Sequence, residues 1–142
     1  MREFIIEMKT SNPVVLVVDG EKAIVQMIAA ALTSSAFFAI PATTADDALR
    51  ECALCDRPID VAIIDVQLDE GVSGARIAAS LRQYSPETGI IFLAAMPPGD
   101  IFSADVRGAV ALFQKPFNVG DLLSCVRRLC AEAQPACHVT FS

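Results

Sequence analysis

Three charged residues follow apolar runs in a pattern that suits phosphate or metal chemistry. Asp19 ends the run VVLVVD, Asp65 ends VAIID, and Lys115 follows AVALFQ. Grouped carboxylates favour a hard divalent cation such as Mg²⁺, which takes oxygen ligands, and a nearby lysine can neutralise a phosphoryl group. A carboxylate can also act as a nucleophile and form an acyl phosphate. These residue types predict a phosphoryl-transfer site if the fold brings them together.

The elements needed to position these residues alternate between strand and helix along the chain. Apolar runs predict strands at 14–18, 37–42, 61–65, 89–95 and 109–114. Helical periodicity predicts helices at 24–32, 45–55, 74–81 and 119–129, and a short, poorly patterned helix is expected at 99–106. Thr44 and Asn118 are expected to cap the helices that follow them. This alternation predicts an α/β fold, a doubly wound five-stranded parallel sheet with helices on both faces. Ligands of such sheets lie outside the carboxyl ends of the strands, so the three charged residues should converge there.

The composition limits the class of protein. The chain has 142 residues, of which 54% are hydrophobic, and its net charge is −6. This length fits one domain, and the apolar content is too high for a disordered chain. Because an acidic surface repels phosphate backbones, we expect no nucleic acid partner.

One uncharged stretch, residues 23–45, is long enough to cross a bilayer. Gln26, a Thr-Ser-Ser cluster and Pro41 interrupt it, and it divides into a helix and a short strand. We therefore expect no membrane span. The N-terminus has acids and no long apolar core, so it does not resemble a signal peptide, and we expect a cytoplasmic protein.

Two of the five cysteines, Cys52 and Cys55, form a C-x-x-C pair. No second C-x-x-C and no histidine pair completes a zinc site, and the pair falls at the end of a predicted helix rather than at its start. We therefore interpret the cysteines as small, buried or half-buried thiols, which a reducing cytoplasm suits.

From about residue 14 to residue 132 the chain resembles the receiver domain of bacterial two-component response regulators. The motifs that carry the resemblance are VLVVDGE, IIDVQL, IIFLAA and LFQKPF, in that order. The resemblance implies a (βα)5 flavodoxin-like fold. It also implies that Asp65 accepts phosphate from a partner histidine kinase, that Lys115 contacts the phosphoryl group, and that the Lys115–Pro116 bond is cis. Asp19, Asp65 and the backbone carbonyl of Gln67 would bind Mg²⁺.

The chain departs from the family pattern at three positions. Gly20 stands where a second metal-binding acid is usual, Ala94 where a Thr or Ser is usual, and Leu112 where a Tyr or Phe is usual. These changes predict weak Mg²⁺ binding and the loss of a hydrogen bond to the phosphoryl group, worth about 1.5–3 kcal/mol. They also remove half of the usual conformational switch. We hypothesise that Glu21 replaces the missing metal ligand.

We interpret the chain as a stand-alone receiver, with an N-terminal extension (1–12), a receiver domain (13–132) and a flexible C-terminal tail (133–142). No residues remain for an output domain, so the expected output is contact with a downstream protein or transfer of phosphate within a phosphorelay. The expected phosphate donor is a histidine kinase or a phosphotransfer protein. The apolar residues of 99–130 form either a homodimer surface or core.

Two alternative functions remain open. One is a pseudo-receiver that binds proteins without phosphorylation, which Gly20, Ala94 and Leu112 all permit. The other is an aspartate-nucleophile phosphatase that uses Asp19. We favour a non-enzymatic protein because Glu21 is a poor substitute for the second acid of that phosphatase class.

Overall fold

The computed structural model describes residues 12–68, 73–95 and 111–132. These ranges contain five strands and four helices. The strands are β1 (Val14–Val18), β2 (Phe38–Ala42), β3 (Val61–Asp65), β4 (Gly89–Ala94) and β5 (Ala111–Gln114). The helices are α1 (Lys22–Ser34), α2 (Ala45–Leu54), α3 (Gly74–Tyr84) and α4 (Val119–Glu132).

All five strands are parallel and form one sheet in the order β2-β1-β3-β4-β5. The strand order reverses between β1 and β3, and Val18 near the end of β1 pairs with Ile64 near the end of β3. Asp65 pairs with Leu93 on β4 in turn. The predicted doubly wound parallel sheet is therefore confirmed, and the carboxyl ends of β1, β3 and β4 lie side by side.

Two buried layers cover the faces of this sheet. The strand side chains alternate between the faces, because successive residues of a strand point to opposite sides. The layer under α1 and α4 includes Val15, Val17, Ile28, Leu32, Ile63, Leu122 and Val126. The layer under α2 and α3 includes Leu16, Val18, Ala48, Ile64, Ile77, Leu81 and Phe92. Burial on both faces explains why β1 and β3 are continuous apolar runs rather than alternating ones.

The element boundaries agree with the sequence-based expectations to within a few residues. Thr44 caps α2 as predicted, since its Oγ1 accepts a hydrogen bond from a first-turn N–H at 3.0 Å. Asn118 caps α4 in the same way, with its Oδ1 accepting at 3.1 Å. The predicted helix at 99–106 and residues 109–110 of the predicted fifth strand lie outside the described residues.

Two further expectations concern the membrane and the thiols. Within the described ranges, no helix has the length and apolar character needed to cross a bilayer. The stretch 23–45 divides among α1, β2 and the turns that flank them, as expected. Cys52, Cys55, Cys125 and Cys130 are all free thiols.

Candidate functional site

The carboxyl edge of the sheet brings Asp19, Asp65 and Lys115 together. The Lys115 ammonium lies 2.7 Å from Asp19 Oδ2 and 3.1 Å from Asp65 Oδ2. The two aspartates follow or end neighbouring strands, and Lys115 follows the edge strand β5. Three charged groups that are far apart in sequence therefore form one cluster, as the strand-end pattern predicted.

Asp19 is the most deeply buried member of this cluster. Its side chain is 0% exposed, and its Oδ1 accepts a hydrogen bond from the Glu21 N–H at 2.8 Å. Its own N–H donates to the Ala42 carbonyl, which ties the end of β1 to β2. Oδ2 faces Lys115 as an ion pair and accepts no well-aligned hydrogen bond from the described residues. This oxygen is therefore a buried acceptor with an unused lone pair.

Asp65 lies at the end of β3 with a side chain that is 12% exposed, so solvent and ligands can reach it. Its Oδ1 accepts a hydrogen bond from the Gln67 N–H at 3.1 Å, and its Oδ2 accepts one from Lys115. Burial raises the pKa of the Asp65 carboxyl above its ordinary value, and the Asp19 charge adds to this rise. The Gln67 and Lys115 contacts lower the pKa but offset the rise only in part.

The backbone around Lys115 fixes the position of its side chain. The Lys115 N–H donates to the Ala94 carbonyl at 2.7 Å, and the following bond to Pro116 is cis, as predicted. Burial by itself lowers the pKa of the ammonium. The contacts with Asp19 and Asp65 outweigh burial, so the pKa lies above its ordinary value. Lys115 is therefore positively charged at neutral pH.

Gly74, the first residue of α3 and of the helix predicted at 74–81, is a positioning residue. A Cβ atom at this position would lie 2.1 Å from the Asp65 carbonyl oxygen and 2.9 Å from a methyl group of Ile64. The Gly74 N–H also donates to the Val66 carbonyl at 2.8 Å. Glycine here allows α3 to begin directly against the strand that carries Asp65. The sequence signal for this close approach is the Ser73-Gly74 pair at the start of the predicted helix.

The residues at the three positions that depart from the family pattern lie in different environments. Gly20 is exposed at the end of β1, and Glu21 is also exposed, with its Oε1 3.7 Å from the Lys115 ammonium. Ala94 is 1% exposed at the end of β4. Leu112 is partly buried in β5 and packs against the layer under α2 and α3. Glu21 thus faces the charged cluster, whereas Ala94 and Leu112 contribute no polar side-chain atom to it.

The acidic pair fits a hard cation. Asp19 supplies the buried oxygen without a hydrogen bond, and Asp65 supplies a second carboxylate. In the part of the chain that the structure describes, no group of three or more His, Cys, Asp or Glu side chains could hold a metal. Proteins often hold Mg²⁺ by one or two carboxylates while water and phosphate oxygens fill the other positions. The donors therefore suit Mg²⁺ that keeps several waters, with weaker binding than a third carboxylate would give.

Comparison with known proteins gives a family match for this chain. A family model described as the response regulator receiver domain matches residues 15–127. The KDP operon transcriptional regulatory protein KdpE of Escherichia coli (strain K12) is 32% identical over 132 residues. That match covers 90% of this chain and 57% of KdpE, so the chain spans little more than half the length of this relative.

Solved structures share the fold over nearly their whole length. The CheY-like receiver domain protein from Methanospirillum hungatei JF-1 has a TM-score of 0.79 at 22% identity, covering 89% of this chain and 99% of that one. The response regulator TrrA from Thermotoga maritima, in complex with Mg²⁺-BeF, has a TM-score of 0.70 at 25% identity. That match covers 82% of this chain and 98% of TrrA.

Proposed function

Because the chain belongs to the response regulator receiver domain family of two-component systems, we propose that Asp65 accepts a phosphoryl group. The donor is a histidine kinase or a phosphotransfer protein, and the phosphorylated domain signals by contact with a downstream protein. The observation that carries this proposal is the cluster in which Lys115 contacts both Asp19 and Asp65.

The chemistry of the proposed step follows from the contacts of Asp65. A carboxylate oxygen of Asp65 attacks the phosphorus of a phosphohistidine, the nitrogen–phosphorus bond breaks, and an acyl phosphate forms. Lys115, held at 3.1 Å, neutralises negative charge on the transferred group. The Gln67 N–H keeps the carboxylate oriented through its hydrogen bond to Oδ1.

We propose that Asp19, Asp65 and the backbone carbonyl of Gln67 hold Mg²⁺ at this site. When bound, Mg²⁺ would supply charge neutralisation for the phosphoryl oxygens. The buried Oδ2 of Asp19 supports this assignment, and so does the Mg²⁺-BeF complex of the related TrrA. Glu21 faces the same cluster, and we propose that it replaces the ligand missing at Gly20.

The response to phosphorylation should differ from that of most receivers. Ala94 has no hydroxyl to contact a phosphoryl group, and Leu112 has no aromatic ring at the usual switch position. These two residues favour a second candidate function, a pseudo-receiver that binds its protein partner without phosphorylation. The phosphatase alternative has less support, because its nucleophile, Asp19, is fully buried and already paired with Lys115.

We propose that residues 13–132 form the receiver domain, flanked by an N-terminal extension and a C-terminal tail, and that the protein works in the cytoplasm. A homodimer through the 99–130 face stays a prediction, because residues 99–110 lie outside the described ranges.

Phosphoryl acceptance can be tested with a small-molecule donor. Intact-mass measurement after incubation with acetyl phosphate and Mg²⁺ should show the addition of one phosphoryl group. Asp65→Asn should abolish the addition, whereas Asp56→Asn, at an exposed aspartate after α2, should not. Beryllofluoride with Mg²⁺ should shift backbone NMR signals near Asp65 in the wild-type protein. No mass increase and no spectral change would favour the pseudo-receiver.

A further inference from the structure

A groove with a volume of about 390 Å³ lies at the opposite edge of the sheet from the phosphoryl site. It runs between the carboxyl-terminal ends of α2 and α3, next to the segment that enters β3. Its lining is mostly apolar, with Pro58, Ile59, Leu81 and Tyr84 among the contributing residues. Both thiols of the C-x-x-C pair, which the proposed function does not use, also line it.

Cys52 and Cys55 are held together by the last turn of α2. The Cys55 N–H donates to the carbonyls of Glu51 at 3.0 Å and Cys52 at 3.3 Å. Both cysteines are free, and both pack partly buried against the layer under α2 and α3. Both cysteines therefore line one groove, Cys52 from the last turn of α2 and Cys55 from the residue that follows the helix.

The helical spacing favours a bridging ion over a direct disulfide. Side chains three residues apart on a helix have Cβ atoms about 5–6 Å from each other. A disulfide requires a Cβ–Cβ distance of roughly 3.5–4.5 Å. A metal–sulfur bond is about 2.3 Å long, so an ion between the two sulfur atoms spans the wider gap without moving the backbone.

We propose that Cys52 and Cys55 form a two-thiolate site for a soft monovalent cation of the Cu(I) class. Thiolates select soft ions, and Cu(I) accepts two ligands, whereas structural zinc requires four. Within the described ranges, no third metal-binding side chain joins this pair. On binding, two S–H bonds break, two Cu–S bonds form and two protons pass to solvent, without any change of oxidation state.

The surroundings of the groove act on the resulting complex in opposite directions. Cu(I) with two thiolates carries a net charge of −1, and Arg57 contributes to the groove lining. Burial, followed by the charges of Cys55 and Glu51, raises the pKa of the Cys52 thiol to about 11, so Cu(I) must compete with protons for this sulfur and should bind more weakly as the pH falls.

The test is a competition for Cu(I) between the reduced full-length protein and a coloured Cu(I) chelator under anaerobic conditions. Wild-type protein should remove one more equivalent of Cu(I) from the chelator than the Cys52→Ser/Cys55→Ser double variant. Either single variant should also lose that equivalent. Cys130→Ser, at a half-buried thiol on α4, is the matched control and should bind as the wild type does.

A second measurement needs no variant. Cu(I) should protect Cys52 and Cys55 from alkylation in wild-type protein by at least tenfold, as read by peptide mass spectrometry, while Cys130 stays unprotected. Unchanged binding in the double variant, equal loss in Cys130→Ser, or absence of protection would overturn the proposal. Air oxidation that joins Cys52 to Cys55 as a disulfide would also overturn it, because the distance argument would then be wrong. These results are independent of phosphorylation at Asp65.

Discussion

Lys115 holds its ammonium 2.7 Å from Asp19 Oδ2 and 3.1 Å from Asp65 Oδ2, so one positive charge serves two largely buried carboxylates. A carboxylate taken out of water is stable as an anion only if a cation or hydrogen-bond donors compensate for the lost hydration. Burial raises the pKa of Asp65 more than the Gln67 and Lys115 contacts lower it, so this compensation is incomplete at Asp65. The positive charge of Lys115 is therefore shared between the two aspartates of the site.

Lys115→Met should be strongly destabilising. Removing one partner of a buried ion pair costs about 3–5 kcal/mol, because the remaining charges stay buried without compensation. Urea denaturation should therefore show a large fall in the free energy of unfolding, and millimolar Mg²⁺ should recover part of it. Lys22→Met, at an exposed lysine, is the control. Equal effects of the two substitutions would contradict the shared-charge interpretation.

Glu21→Gln should weaken Mg²⁺ binding. Its Oε1 lies 3.7 Å from the Lys115 ammonium, so the side chain already faces the cluster. We expect a loss of affinity on the order of tenfold, which corresponds to about 1.4 kcal/mol. Isothermal titration calorimetry measures this directly, and Glu87→Gln, at an exposed position beyond α3, is the control. Unchanged Mg²⁺ affinity in Glu21→Gln would remove Glu21 from the site while leaving the role of Asp65 intact.

Among the contacts between elements, the one that positions Asp65 joins the start of α3 to the end of β3. Gly74 lets the helix backbone meet the Asp65 carbonyl, where any side chain would collide. Ser73 caps the same helix, because its Oγ accepts a hydrogen bond from the Ala75 N–H at 3.0 Å. The helix start and the strand end thus form one rigid corner, and that corner determines where the Asp65 carboxylate points.

Gly74→Ala should disturb both stability and phosphorylation. The new Cβ would lie 2.1 Å from a backbone oxygen, so the helix and the strand must separate. Such overpacking costs about 1–3 kcal/mol, and the rate of Asp65 phosphorylation by acetyl phosphate should fall with it. Gly120→Ala is the control, since its Cβ would approach only the Asn118 side chain, at 3.0 Å. Wild-type stability and phosphorylation rate in Gly74→Ala would show that the corner does not constrain Asp65.

Across the whole molecule, two pairs of helices cover the two faces of the sheet. Burial between these helices and the sheet shifts the pKa of ionisable side chains. Cys130 on α4 is partly buried in the layer that also contains α1. Burial, followed by the charge of Asp60, raises the pKa of the Cys130 thiol from 9.0 to about 11. Folding therefore favours the protonated thiol, and the stability of the whole domain becomes linked to pH.

The sign of this linkage predicts alkaline destabilisation. The folded-state pKa lies above the unfolded one, so the contribution is complete below pH 9 and disappears as the pH rises to about 11. Because the thiol is half-exposed, we expect a loss of roughly 1–2 kcal/mol rather than the full value of the shift. Urea denaturation between pH 8 and about pH 11 measures the loss. Cys130→Ser should flatten this part of the profile, and an unchanged slope in the variant would contradict the assignment.

The amino-acid sequence by itself determined the five strands and four helices of the described residues, and the sheet edge at which Asp19, Asp65 and Lys115 meet. Continuous Val and Ile runs predict strands buried on both faces, and an acid or a lysine at their ends predicts a site at the carboxyl edge. Thr44 and Asn118 could be identified as caps because capping depends on neighbours within one helical turn. These are local properties, which a short stretch of sequence is enough to encode.

Only the tertiary structure decided which side chains meet and how deeply each is buried. The Lys115–Asp65 hydrogen bond joins residues that are 50 positions apart, and its geometry depends on the register of three strands. The collision at Gly74, the full burial of Asp19 and the groove shared by Cys52 and Cys55 likewise arise where separate elements pack together. Sequence periodicity specifies which face of an element is apolar. Distances between elements follow from the packing of the whole core, and no single stretch of the chain contains that information.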